Sequence, residues 1–109
     1  MLDVILSSCP PAQAQRVADE LVERHLAACV TLLPGAMSTF RWMGKIQHDH
    51  ETLLLIKVPT ERTAACVEAL TQAHPNTVPE IVVLPAGDVA ASYLAWAREG
   101  CDLPAVVPE

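Results

Sequence analysis

Several side chains in this 109-residue chain are of types that can bind a metal ion. His74 and Glu80 flank a short loop, and an imidazole together with a carboxylate suits a divalent metal. A histidine that ends a helix is also explained as a structural residue, with its ring hydrogen-bonded to backbone atoms. The pattern alone leaves both interpretations open.

A second set of candidate ligands lies in residues 48–51, which read His-Asp-His-Glu. Alternate side chains of a β-strand point to one face, so His48 and His50 would share a face about 7 Å apart. Two imidazoles supply only half of a tetrahedral shell, which favours a solvated polar strand over a zinc site.

The cysteines stand alone in the sequence, at positions 9, 29, 66 and 101, and none forms a CxxC motif. Cys9 precedes two prolines at a predicted helix N-terminus, where the helix dipole lowers the pKa of a thiol. The resulting thiolate could bind a soft ion such as Cu(I). An ordinary loop thiol is the alternative. Cys29 is predicted to be core, and Cys101 to be only an oxidation liability in a tail.

Lys57 follows a buried apolar run and could pair with Glu80 or bind an anionic ligand, although a snorkelling strand-end lysine is the alternative. Trp42, Tyr93 and Trp96 are interpreted first as packing aromatics and second as walls of a ligand cleft. Enzyme motifs are absent: the sequence has no glycine-rich phosphate loop, no GxSxG and no HExxH. We therefore expect a protein that is not an enzyme.

Composition excludes several classes of partner. The net charge is −6, so the basic patch needed to bind nucleic acid is missing. No apolar run approaches the roughly 20 residues of a membrane span. An acid at position 3 is unlike a signal peptide, and we expect a soluble cytoplasmic chain.

The candidate residues depend on one predicted element, a long hairpin over residues 29–59. Gly44 accepts the positive φ of its tight turn, and Pro34-Gly35 predicts a bulge in the first arm. An arm of about 13 residues spans roughly 43 Å. That exceeds the radius of gyration of roughly 13 Å expected for a domain of this length, so the hairpin should overhang the core and need a partner subunit.

The other elements follow from apolar periodicity and turn residues. We predict a strand at 2–8, a helix to about residue 28 capped by Ser8 or Cys9, a helix at 61–73 capped by Thr60, a strand at 78–84 and a helix at 89–98 capped by Asp88. The order is β-α-β-β-α-β, an α+β ferredoxin-like fold with an antiparallel sheet, an extra C-terminal helix and a long protruding hairpin. Residues 1–100 form one domain and residues 101–109 a flexible tail.

Short motifs along nearly the whole chain resemble the CutA family of divalent-cation tolerance proteins. They are Leu26-Ala27-Ala28-Cys29-Val30, Pro34-Gly35, Trp42-Met43-Gly44-Lys45-Ile46, Leu55-Ile56-Lys57, His74-Pro75, Val78-Pro79-Glu80 and Tyr93-Leu94-Ala95-Trp96. The resemblance implies a ferredoxin-like fold, a homotrimer joined by the hairpins and a non-enzymatic role with copper or another divalent ion. The family is also similar to the PII signalling trimers, which bind small molecules between subunits.

One departure concerns the loop after His74, where the family usually writes His-Pro-Tyr-Glu and this chain has His74-Pro75-Asn76-Thr77. This chain lacks that aromatic ring and that carboxylate, so a ligand or metal site built on them would have fewer contacting groups. The expected residues fall into three sets: the metal ligands His74, Glu80 and Cys9; a ligand cleft of Lys57, Trp42 and Tyr93; and a trimer interface of Phe40, Trp42, Met43 and Trp96. The alternative function is a PII-like sensor whose inter-subunit cleft binds a small anion.

Overall fold

One four-stranded sheet and three α-helices make up residues 1–105, the part of the chain that the computed structural model describes. The strands are β1 (Leu2–Cys9), β2 (Cys29–Trp42), β3 (Lys45–Pro59) and β4 (Val82–Pro85). The helices are α1 (Pro11–Glu23), α2 (Thr63–Ala73) and α3 (Ala91–Gly100), and a 3₁₀ turn (Thr60–Arg62) leads into α2. No helix in this range is long and apolar enough to cross a membrane.

The strand order is β2-β3-β1-β4, and every neighbouring pair is antiparallel. β1 and β2 therefore run parallel on either side of β3, which is the arrangement that a β-α-β unit with an intervening strand produces. The predicted α+β ferredoxin-like fold, including its extra C-terminal helix and long hairpin, is confirmed.

The core lies between α1, α2 and one face of the sheet. Alternate residues of β1 and β3 point to this face, and Ile5, Leu54, Ile56 and Val58 are fully buried there. They pack against apolar residues of the two helices, namely Ala14, Val17, Leu21, Cys66, Ala69 and Leu70. We call the opposite side of the sheet the open face. The remaining alternate side chains of β1 and β3 point to it, including the cross-strand pair Leu6 and Leu55.

The hairpin turn consists of Met43 and Gly44 between the paired residues Trp42 and Lys45. Both turn residues have positive φ, 51° at Met43 and 78° at Gly44, as a type I′ turn requires. The role of Gly44 matches the sequence prediction. Met43 was not expected there, because a residue with a Cβ in the left-handed region costs roughly 1–2 kcal/mol.

Only part of the hairpin lies on the body of the protein. β1 pairs with β3 over Thr52–Pro59, so residues 36–51, here called the overhang, extend beyond it. Seven residues of β3 at about 3.3 Å each give an overhang of roughly 23 Å. The long dimension of the molecule is 51 Å against 26 and 22 Å for the others. The predicted bulge lies between Leu33 and Ala36, where Gly35 has φ +86°.

The predicted N-cap and end of α1 were wrong. Ser8 and Cys9 belong to β1, and the N-cap position is Pro10, so no side chain caps the helix. The helix ends at Glu23 rather than near residue 28, because the chain turns back at His25, which has φ 58°.

The later boundaries also differ from the predictions. No side chain caps α2 or α3: their N-cap positions are Arg62 and Ala90, while Thr60 starts the 3₁₀ turn and Asp88 precedes the helix. β4 begins at Val82 instead of residue 78. Proline has no N–H for a strand ladder, and Pro79 lies in the segment that stays a loop.

The flexible tail at residues 101–109 stays a prediction, and residues 106–109 lie outside the described range. Cys101 is fully buried, which does not fit its interpretation as an oxidation liability in a tail. Arg62 Nη2 donates to the Cys101 carbonyl at 2.9 Å. The buried Arg98 pairs with Glu61 at 2.8 Å, and its Nε donates to the Pro104 carbonyl at 2.6 Å. These hydrogen bonds connect the backbone at residues 101 and 104 to the 3₁₀ turn and to α3.

We predict that Ser7→Ala stabilises the protein. Ser7 faces the core with no exposed surface, and its Oγ has no hydrogen-bond partner in residues 1–105. An unsatisfied buried hydroxyl costs roughly 1–3 kcal/mol, so the free energy of unfolding should rise by about 1 kcal/mol in urea titrations. Ser8→Ala, on the open face of the same strand, is the control and should not stabilise. A loss of stability in Ser7→Ala would contradict the assignment.

Candidate functional site

A cleft of about 720 Å³ lies between the overhang and the loop of residues 75–80. Its lining residues come from β1, both arms of the hairpin and this loop: Ser8, Ser38, Thr39, Phe40, Trp42, Gln47, Asp49, Glu51, Pro75, Asn76, Thr77, Val78 and Glu80. Asp49 and Glu51 have the same strand parity as the open-face residues of β3, so the register of β3 turns both into the cleft.

The cleft is acidic. Asp49, Glu51 and Glu80 line it, and no lysine, arginine or histidine is among its lining residues. Unbalanced carboxylates create a negative potential that low-dielectric walls concentrate, so the cleft attracts cations and repels anions. Within residues 1–105, however, no three His, Cys, Asp or Glu side chains are grouped closely enough to hold a metal ion. One chain supplies the charge but not a complete coordination shell.

His74 anchors the loop that forms one wall of the cleft. Its Nε2 donates to the Ser8 carbonyl at 2.6 Å, and its Nδ1 accepts the Asn76 N–H at 3.1 Å. These partners define a neutral ring, since a carbonyl can only accept and a backbone N–H can only donate. With both nitrogens engaged and the residue buried, the structural interpretation of His74 fits this geometry better than that of a ligand.

Cys9 lies on the core side of β1 and is fully buried. Burial raises the pKa of this thiol, and the nearby Arg16 guanidinium offsets only part of that effect. The expectation of a lowered pKa was wrong, because desolvation of the thiolate outweighs any help from the helix N-terminus. Of the three expected ligands, Glu80 is the one exposed at the cleft, and the structure does not gather His74, Glu80 and Cys9 into one cluster.

The three residues expected to form a ligand cleft lie at two ends of the hairpin. Lys57 Nζ donates to Thr31 Oγ1 at 2.6 Å and to the Leu55 carbonyl at 3.0 Å, so the suggested pairing with Glu80 is not formed. Tyr93 lies close to Cys29, whose strand partner is Lys57; burial, together with that thiol, raises the tyrosine pKa. Trp42 is 13 residues farther along β2, roughly 43 Å away, and cannot join them within one chain.

Residues 48–51 divide between the two faces of the overhang. His48 and His50 share one face, as predicted, and are exposed on the side opposite the cleft. Asp49 and Glu51 line the cleft itself. Sequence reasoning treated this run as solvated and missed the two acids as cleft residues, although their alternation with the histidines was the available signal.

Comparison with known proteins assigns the family. The family described as CutA1 divalent ion tolerance protein matches residues 4–100. The chain belongs to the CutA family. The predicted resemblance is therefore confirmed, and it covers every described strand and helix except the first two residues of β1.

Individual members of the CutA family are similar in both sequence and structure. The divalent-cation tolerance protein CutA of Thermus thermophilus is 43% identical over 100 residues, which is 91% of this chain and 97% of the relative. The crystal structure of CutA from Xylella fastidiosa superimposes with a TM-score of 0.90 at 38% identity, covering 93% of this chain and 98% of that one. A Nostoc structure described as a PII-like protein CutA in apo form has a TM-score of 0.86 at 29% identity, covering 91% and 96%.

The burial of the thiols in this CutA chain predicts their order of reaction. Cys9, Cys66 and Cys101 are fully buried, and desolvation raises all three pKa values, that of Cys66 to about 12. Only a thiolate is alkylated, so at pH 8 iodoacetamide should modify the half-buried Cys29 first, at least tenfold faster than the others. Peptide mass mapping at short times measures this, with the urea-unfolded chain as control. Early modification of Cys9 would contradict its assignment as a core thiol.

Proposed function

We propose that the chain is a non-enzymatic CutA homotrimer whose acidic cleft binds a divalent metal ion, copper or another. The observation that carries the proposal is the cleft lined by Asp49, Glu51 and Glu80 with no cationic side chain to neutralise them. Carboxylate oxygens that lack a protein cation attract a metal cation. The family description, divalent ion tolerance, supports the same conclusion.

Assembly would supply what one chain lacks. The overhang carries Trp42 and Met43 with 48% and 88% of their surface exposed, and Trp96 of α3 is 53% exposed. β4 is an edge strand with all four residues exposed, so among residues 1–105 its outer edge has no strand partner. Apolar tips and unpaired edges on one molecule are the features that a closed homo-oligomer covers. The expected interface residues are Trp42, Met43 and Trp96, together with Phe40 in the cleft wall.

Within the cleft we assign metal binding to Glu80 and Asp49. Glu80 belongs to the loop that His74 anchors, and Asp49 faces it from the overhang. His74 then contributes by holding the loop in place, since its ring nitrogens already have partners. In a trimer, a neighbouring subunit packed against this cleft would add its own donor groups and complete the shell.

Glu80→Gln and Asp49→Asn should each weaken divalent ion binding by at least tenfold, because each removes a charged ligand. Native mass spectrometry after loading with Zn²⁺ or Cu²⁺ reports the oligomer and its bound ions together, and isothermal titration gives the affinity. Glu23→Gln, an exposed acid at the end of α1, is the matched control and should leave binding unchanged. Equal binding by the parent and by both cleft variants would remove the metal assignment and leave the fold intact.

Trp42→Glu should break the trimer into monomers or aggregates, because the charge replaces an apolar anchor at the tip of the overhang. Native mass spectrometry should detect trimer for the parent, with thermal unfolding that depends on protein concentration. Val22→Glu places the same charge on α1, at a site 41% exposed, and should stay trimeric. A Trp42→Glu trimer of parental stability, or an equally stable monomer, would disprove the role of the overhang.

A second candidate is a PII-like sensor with a small anionic ligand at an inter-subunit cleft. The cationic Lys57 lies near Tyr93, and Trp42 at the tip of another subunit's overhang could complete such a cleft. The Nostoc structure described as PII-like supports this candidate. Thermal shift assays with nucleotides and organic acids separate the two candidates. An anion that raises the melting temperature of the parent but not of Lys57→Met favours the sensor. If no compound changes the melting temperature, the sensor candidate is rejected.

The compartment proposed for this function is the cytoplasm, with no nucleic acid or membrane as partner. All four cysteines are free thiols, which fits a reducing compartment.

A further inference from the structure

The face of the overhang opposite the acidic cleft groups three metal-binding side chains. His48 and His50 alternate with the cleft acids along β3, and Met37 is the direct cross-strand partner of His50. Direct partners have Cβ atoms about 4.5–5.5 Å apart, and diagonal neighbours such as Met37 and His48 are about 7–8 Å apart, within reach of long side chains. All three residues are exposed.

A hydrogen bond orients one of these imidazoles. Thr39 is the cross-strand partner of His48, and its Oγ1 lies 3.2 Å from His48 Nδ1. A hydroxyl can accept the Nδ1–H, which is the tautomer whose Nε2 lone pair is free for a metal. Ligating histidines commonly use such a partner to hold the ring and to select the tautomer. The hydrogen bond to Thr39 therefore holds the His48 ring in the tautomer that can bind a metal through Nε2.

The donor types select the metal. Two imidazole nitrogens and one thioether sulfur form a mixed soft set, and a thioether favours Cu(I) over the harder divalent ions. No third His, Cys, Asp or Glu joins the histidines among residues 1–105, and the strand register places the thioether of Met37 opposite His50 as a soft third donor. Three donors suit Cu(I), which does not require the tetrahedral or octahedral shells of zinc or magnesium.

We propose that Met37, His48 and His50 form a Cu(I) site on this face, oriented by Thr39. The site differs from the carboxylate cleft in position, donor type and metal, so it goes beyond the proposed function. The two sites are back to back, because adjacent residues of β3 serve opposite faces. The overhang thus carries hard oxygen ligands on one side and soft nitrogen and sulfur ligands on the other.

The test follows the methionine methyl groups in a protein labelled with ¹³C at methionine Cε. The chain has three methionines, and Met1 and Met43 are exposed but lack histidine partners in the sheet register, so they are internal controls. Ag(I), a redox-stable substitute for Cu(I), is added to one equivalent of protein carrying Cys29→Ser, so that this half-buried thiol does not compete for the ion. A shift of the Met37 signal alone, together with shifts of the His48 and His50 ring signals, is the expected result. No Met37 shift, or equal shifts of all three methyls, overturns the proposal.

Affinity for Cu(I) itself is measured anaerobically by competition with bicinchoninate. All variants carry Cys29→Ser, so that the half-buried thiol does not contribute. Met37→Leu and His50→Gln should each lower the Cu(I) affinity at least tenfold, and Thr39→Val by a smaller factor. Met43→Leu is the matched control and should match the parent. Unchanged affinity in both Met37→Leu and His50→Gln would reject the site.

The same variants separate this proposal from the divalent cleft. Met37→Leu should leave Zn²⁺ binding unchanged, and Glu80→Gln should leave Cu(I) affinity unchanged. If Glu80→Gln has no effect on Zn²⁺ while Met37→Leu abolishes the Cu(I) response, the cleft assignment fails and the hairpin site stands. If Glu80→Gln lowers Cu(I) affinity as much as Met37→Leu does, the hairpin site is wrong.

Discussion

The unbroken alternation of side chains along β3 is the constraint on which the rest of the structure depends. In the body, burial of Leu54, Ile56 and Val58 fixes which alternate residues face the helices. Because the strand has no bulge of its own, the same alternation continues to the tip and separates His48 from Asp49. A one-residue slip would exchange the acidic and histidine faces. The irregularity at residues 34–35 lies in β2, where it adds a residue without changing the parity of β3.

A second constraint is the contact of His74 with the end of β1. The loop of residues 75–80 leaves α2 and must cross to β4, and it has no sheet pairing of its own. The bond to the Ser8 carbonyl, with Arg16 Nη2 donating to the Ala73 carbonyl at 3.2 Å, closes the C-terminal end of α2 and fixes where the loop begins. The position of Glu80 relative to the overhang therefore rests on a buried neutral imidazole, which explains a histidine at a helix end without assigning it a metal.

The sequence was most informative where the physics is local. Gly44 and Pro34-Gly35 identify the turn and the bulge because few conformations suit those residues. Period-2 alternation likewise predicts that His48 and His50 share a face. Cap positions failed because Ser8 belongs to a strand and Thr60 to a 3₁₀ turn. The pKa direction at Cys9 depends on burial by distant elements, and the meeting of Glu80 with the overhang depends on tertiary contact, so neither could be read from neighbouring residues.

Met43 shows how local strain relates to assembly. An asparagine would fit the left-handed position of a type I′ turn better, whereas methionine costs roughly 1–2 kcal/mol there. In the isolated chain nothing offsets that cost, because 88% of the side chain is exposed. Burying a methionine side chain contributes about 1.5–3 kcal/mol, a gain of at least the same size as the strain. Covering Met43 with another subunit, as the proposed trimer requires, would therefore offset the strain of the turn.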